Sequence, residues 1–201
     1  MKTLIILDIQ NDFMPNGSLA VPHSDLIIPT INNILDKFDL VVATQDWHPE
    51  NHNSFAANHI NKKPFEKINL HGQEQTLWPN HCIQGSVGAE FPPNLEIRPI
   101  AAIFRKGMDK ECDSYSGFYD NNHKNCTGLA AYLREKGAND LYFCGLCADI
   151  CVYYTINDAL NEGFKCWLIE DATRPLDEVE FQRVKNELLS KSVSTIQSTE
   201  I

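Results

Sequence analysis

The chain has no long apolar run. Its longest uninterrupted ones, such as "IAAIF" at 100–104, fall far short of the ~20 residues a membrane-spanning helix needs. Basic residues are also scarce, 17 Lys and Arg against 27 Asp and Glu, which leaves a net charge of −10. That balance excludes nucleic acid or an anionic membrane surface as the main partner. No internal repeat, low-complexity tract or linker interrupts the chain, so a single domain over 1–201 is expected. The opening "MKTLIILDIQND" starts like a signal peptide, but Asp8 ends its apolar run and no small-residue cleavage site follows. A cytoplasmic protein with reduced thiols is therefore expected. Cysteine is present, but seven is an odd number and fits a full disulfide framework poorly. The one C-x-x-C, "CGLC" at 144–147, has no second copy with which to build a four-cysteine zinc site.

What is present is an alternation of short buried-strand patterns with helical ones. "TLIILD" (3–8), "LVVATQD" (40–46), "IAAIFRK" (100–106), "DLYFCGL" (140–146), "KCWLIED" (165–171) and "VSTIQ" (193–197) have the Val, Ile, Leu and Phe content of strands. Helical spacing occupies 25–37, with Ser24 as N-cap, and the stretch through "GLAAYLREKG", with Asn125 or Thr127 as cap and Gly137 as stop. It recurs over 149–163 and 177–191. This order predicts an α/β three-layer sandwich, a six-stranded, mainly parallel sheet with helices on both faces. Residues 47–99 carry no strong periodicity and are expected to form a long functional loop.

Ligands and catalytic groups of such sheets gather beyond the carboxyl ends of the strands. Asp8 ends the first predicted strand, Asp46 the second and Lys106 the third, while Cys147 and Cys151 follow the fourth. Cys151, in the first turn of a helix with a lysine near, is expected to favour the thiolate and to attack an acyl carbon. Asp8 would supply the proton an amine leaving group needs. Standing alone, Cys151 would be a small buried hydrophobe, Asp8 a turn residue and Lys106 a solvated side chain. Their shared rim is what favours chemistry. In "TQDWHPENHNSF", Asp46 and His48 form a D-x-H pair, and His81 in "LWPNHC" could complete a mixed N/O set suited to Zn, Fe or Mn. His52, His59 and His71 remain rival ligands. The pair Cys144/Cys147 admits a thiol redox reading, which the expected burial of Cys144 in a strand opposes.

With these motifs in hand, the chain resembles the nicotinamidase/pyrazinamidase branch of the isochorismatase-like cysteine hydrolases. The likeness runs through "LIILDIQNDF", "TQDWHPENHNSF", "LWPNHCIQGSVGAEF", "IFRKGMD", "DSYSGF" and "GLCADICV". It implies a catalytic triad of Asp8, Lys106 and Cys151, and metal ligands Asp46, His48 and His81. It also implies a substrate-binding aromatic set of Phe13, Trp78 and Tyr115. An oxyanion hole from the backbone N–H groups of Cys147 and Cys151, with a cis peptide before Cys147, belongs to the same pattern. Where the family commonly has a small residue followed by Thr, this chain has Cys147-Ala148, which removes a hydroxyl but keeps the donors. The implied activity is hydrolysis of nicotinamide, and of pyrazinamide, to the acid and ammonia for NAD salvage. A divalent metal, Zn first, would orient the pyridine ring. A homo-oligomer is compatible with the family. Another amidase of the family, a redox protein using Cys144/Cys147, and an idle relative that only binds pyridines are the alternatives.

Overall fold

A computed structural model describes residues 1–201. Eight strands and four α-helices follow in chain order. They are β1 (Lys2–Leu7), α1 (Ile27–Ile34), β2 (Leu40–Asp46), β3 (Lys67–Leu70), β4 (Gln73–Thr76), β5 (Ile100–Lys106), α2 (Leu129–Lys136), β6 (Asp140–Gly145), α3 (Tyr153–Asn161), β7 (Lys165–Thr173), α4 (Glu178–Ser190) and β8 (Ser194–Ile196). Six of the strands form one sheet in the order β5-β2-β1-β6-β7-β8, and every pairing in it is parallel.

The sheet explains why its strands are apolar throughout. In β1, Leu4 and Ile6 enter the core that α1 covers, while Ile5 and Leu7 point to the core under α2, α3 and α4. A strand buried on both faces cannot alternate apolar with polar, so it reads as a continuous apolar run. The layer on the α1 side is completed by Trp78, Cys82, Ala89 and Leu95 from the long segment 47–99. No helix is long and apolar enough to cross a membrane.

The structure departs from expectation in three places. The segment 47–99 contains an antiparallel hairpin, β3–β4, whose four-residue strands are too short and polar to stand out. Its turn is His71-Gly72, both at positive φ (53° and 91°), the geometry a tight hairpin requires. Ser24 does not cap α1 with its side chain: a 3-10 turn over Ser24–Leu26 comes first, and the Ser24 hydroxyl is buried without a partner. The helix expected from 149 begins instead as a wide π-turn, Ala148–Val152, closed by Val152 N–H donating to Cys147 O at 3.0 Å. Elsewhere Thr127 Oγ1 accepts from Leu129 N–H at the start of α2, and Gly137 ends that helix in the left-handed region.

Chain direction reverses beside β1. From β1 the chain moves outward through β2 to β5, then returns to place β6 on the other flank of β1. Loops leaving β1 and β6 must therefore part in opposite directions, and a crevice opens at their carboxyl ends.

Candidate active site

The crevice holds the residues that sequence spacing places on the rim. Asp8 directly follows β1, with φ at 49° in the left-handed region that Asp tolerates better than most residues. Its Oδ1 accepts a 2.6 Å hydrogen bond from Thr44 Oγ1, two residues before the end of β2. Lys106, the last residue of β5, is 2% exposed, so it is a core side chain. Its Nζ donates to Asp46 Oδ1 at 2.5 Å and to Ser114 O at 3.0 Å. It also lies 3.1 Å from Asp8 Oδ2 and 3.5 Å from Cys151 Sγ. An ammonium has three protons. After Asp46 and Ser114, one is left between the Asp8 carboxylate and the thiol. Asp8 Oδ2 is buried with no hydrogen bond, and the Asp8 carboxylate, Asp46 carboxylate and Cys151 sulfur come within 4.8 Å of one another.

Burial sets the protonation of this side. It raises Asp8 above the usual carboxylate range, and Lys106 only partly offsets that. Burial also pushes the Cys151 thiol well up, against the pull of Lys106. The expectation of a resting thiolate is thereby corrected. Cys151 is 6% exposed and sits in the π-turn, and loss of water outweighs the nearby ammonium. Lys106 itself is held well above its ordinary value: burial opposes the charge, but Asp46 and Asp8 outweigh it.

Asp46 joins this group to a second one. Its Oδ2 lies 3.7 Å from both His48 Nε2 and His81 Nε2. Burial would raise Asp46, but Lys106 and His48 hold it well below the usual range. His48 Nδ1 faces Gly107 O at 2.9 Å and His81 Nδ1 faces Pro79 O at 2.8 Å. A carbonyl partner requires N–H at Nδ1, which leaves both Nε2 atoms turned toward Asp46. Two imidazoles and a carboxylate converging in this way fit a divalent cation, with Zn, Fe and Mn compatible with the donors. Gly107 is required here. Its φ is 67°, and a Cβ would come within 2.3 Å of the His48 ring. Gln10, fully buried, fastens Asp46 from behind, accepting from Asp46 N–H and donating to Asp46 O and Ala89 O.

The rival histidines separate. His59 bonds to Asn53 O, and exposed His71 pairs with Glu111 at 2.9 Å. His52 is buried beside His48, its Nδ1 on Ser54 Oγ and its Nε2 without a partner, in a group with His48 and Asp113. Glu66 pairs with Lys62 at the surface.

Asp46, His48, His81 and Cys151 open onto one cavity, while Asp8 and Lys106 lie buried behind it. Phe13, Trp78 and Tyr115 line it together with Leu19, Ile150 and Leu176, alongside Asp46, His48, His81, Cys147 and Cys151. The Trp78 and Tyr115 rings meet edge to face at 6.3 Å, and Phe13 lies against His81 at 5.5 Å. The Leu146–Cys147 peptide is cis, and the Cys147 N–H is given to no protein acceptor. All seven cysteines are free. Cys144 is fully buried in β6, where its only polar neighbour is Ile5 O, and burial raises its thiol. Nothing gives it the access a redox thiol needs. Sequence reasoning misses Thr44, Gln10, Gln75 and Asp113. Of these, Thr44 alone had a clear signal, since it shares a strand face with Asp46.

Fold and pocket define an α/β-sandwich enzyme with its thiol at the sheet's switch point. The chain belongs to the isochorismatase family, whose domain matches residues 2–201. It is 44% identical to a nicotinamidase of Acinetobacter baylyi, over 98% of this chain and 93% of that one. In structure it is similar to a nicotinamidase/pyrazinamidase of Acinetobacter baumanii, with a TM-score of 0.96 and 46% identity over 99% and 97% of the two chains. It is also similar to a pyrazinamidase of Pyrococcus horikoshii in complex with zinc, with a TM-score of 0.80 and 36% identity over 98% of each chain.

Proposed function

We propose that this protein, as one domain over 1–201, hydrolyses nicotinamide to nicotinate and ammonia through a thioester on Cys151. The observation that carries the reading is the meeting of the Cys151 thiol with the buried Asp8 carboxylate and Lys106, where Cys151 opens onto a cavity that also presents Asp46, His48 and His81. The relatives named as nicotinamidases support the substrate.

Asp8 accepts the thiol proton as the sulfur bonds to the carboxamide carbon. Burial raises Asp8, so the carboxylate that receives the proton is a stronger base than an ordinary one. Lys106 stabilises the sulfur as it gains charge and keeps Asp8 beside it. The N–H groups of Cys147 and Cys151 would receive the oxyanion, each such donor contributing about 3–4 kcal/mol. Asp8 returns its proton to the departing nitrogen, so ammonia leaves and the thioester remains. Water, deprotonated by Asp8, attacks the thioester carbon. The C–S bond breaks, nicotinate departs and the thiol regains its proton. Phe13, Trp78 and Tyr115 hold the ring so that the carboxamide faces Cys151. A divalent cation on Asp46, His48 and His81, zinc by analogy with the zinc-bound pyrazinamidase, would anchor the pyridine nitrogen and fix the ring's orientation.

Pyrazinamide shares the ring nitrogen and carboxamide and is expected to be accepted. The reaction belongs to NAD salvage, in the cytoplasm. The test is chromatographic detection of nicotinate formed from nicotinamide by zinc-loaded protein. Formation at a rate proportional to enzyme supports the reading, and turnover of other small amides without nicotinamide would replace it with another amidase.

A further inference from the structure

The β3–β4 hairpin lies on the surface, and along its two strands Gln75 is the only buried side chain, at 5% exposure. A polar residue turned inward from an otherwise exposed hairpin calls for a reason. Its Nε2 is 2.7 Å from Thr76 O, 3.1 Å from Asp113 Oδ2 and 3.1 Å from Tyr115 Oη. An amide nitrogen has two protons. One serves the backbone and the other is shared between Asp113 and Tyr115.

Both acceptors belong to the cavity lining, and their situations differ. Tyr115 supplies the aromatic wall against Trp78. Asp113 is 3% exposed, and its remaining donor is the Ser114 N–H, 2.8 Å from Oδ1. No lysine or arginine pairs with it, and it comes within 4.8 Å of the donor atoms of His48 and His52. A buried carboxylate held by two neutral donors beside imidazoles is poised to turn to any cation there.

We propose that Gln75 is a positioning residue for the reaction: its amide holds Asp113 off the metal donors and steadies the Tyr115 ring at the same time. The hairpin thus controls both the cation site and the ring wall through one side chain. This rests on the functional reading above, but its zinc arm needs no turnover.

The test compares wild type with Gln75→Leu in two measurements, nicotinamide kinetics and zinc affinity by competition with a chromophoric chelator. The expected kinetic result is a KM raised about tenfold with kcat changed less than about threefold, the scale of one lost hydrogen bond to a buried group. The expected zinc result is tighter binding by at least about threefold, because the released Asp113 carboxylate adds a ligand. Asp113→Asn on the Gln75→Leu background is expected to return zinc affinity to wild type. A residue that merely anchored the hairpin would lower the melting temperature without moving zinc affinity or splitting KM from kcat. If Gln75→Leu does not fold, Gln75→Asn, which withdraws the same amide, carries the same expectations. Unchanged KM and zinc affinity in the folded variant would overturn the proposal. A wild type that binds zinc but forms no nicotinate would sink the functional reading and leave the zinc arm to judge Gln75.

Discussion

The two sides of the pocket are built by different parts of the chain. The thiol side, Asp8, Lys106 and Cys151, stands directly on the ends of β1 and β5 and on the turn after β6. The imidazole side takes only Asp46 from a strand, while His48 and His81 hang on the long segment 47–99 and depend on carbonyls of Gly107 and Pro79 for their orientation. Burial raises Asp8, whereas Lys106 and His48 depress Asp46. Two carboxylates sharing one lysine are thus driven apart, one toward taking a proton and the other toward keeping its charge. The sheet supplies the group that must change protonation, and strand and loop together supply the set that must not. Lys106 alone touches both.

If that division is right, variants should separate the two sides. Cys151→Ala should lower turnover at least ~10⁴-fold, as loss of a covalent nucleophile does, while zinc binding stays at the wild-type level. Next comes Lys106→Met, which should damage both sides together. It leaves Asp8 and Asp46 buried without their counter-charge, and urea unfolding should show a loss of about 3–5 kcal/mol along with nearly all turnover. Gly107→Ala should spare the thiol side: displacing the His48 ring should weaken zinc binding about 10–100-fold, the usual range for disturbed metal-site support. Alkylation of Cys151 by iodoacetamide should be little changed in that variant.

Acid should probe the thiol side directly. A raised carboxylate binds its proton more readily in the folded protein, so its opposition to folding is present above the folded value and fades as pH falls toward the unfolded one near 3.9. Because Asp8 must be ionised to act as base, the acid limb of kcat/KM should lie above that ordinary value. Thr44→Val removes a donor to the carboxylate and should move the limb further up in a pH–rate profile. The smallest effect should come from Cys144→Ser, which should retain turnover within a few-fold. Large loss in a folded Cys144→Ser protein would revive the thiol redox reading.

The comparison also explains what could be read from the sequence. The thiol side was legible because each residue directly ends or follows an apolar run, and a parallel sheet brings such ends to one rim. The D-x-H pair was visible as a motif, but only the folded loop separates His81 from His52, His59 and His71. Gln10, Gln75 and Asp113 lie in irregular or weakly patterned segments and act across long sequence separations, so no periodicity marks them. The upward shift of the Cys151 thiol escapes a local reading for a related reason. Proximity to a helix start and a lysine is local, whereas the burial that dominates is a property of the whole packing. The β3–β4 hairpin escaped notice because its strands are short and polar, although the Gly72 turn was a usable signal.

The most direct measurement is ammonia release from nicotinamide by zinc-loaded wild type and Cys151→Ala side by side. The account predicts steady release from the first and only the uncatalysed background from the second, with both proteins folded and binding zinc equally. Undiminished release from Cys151→Ala would contradict it.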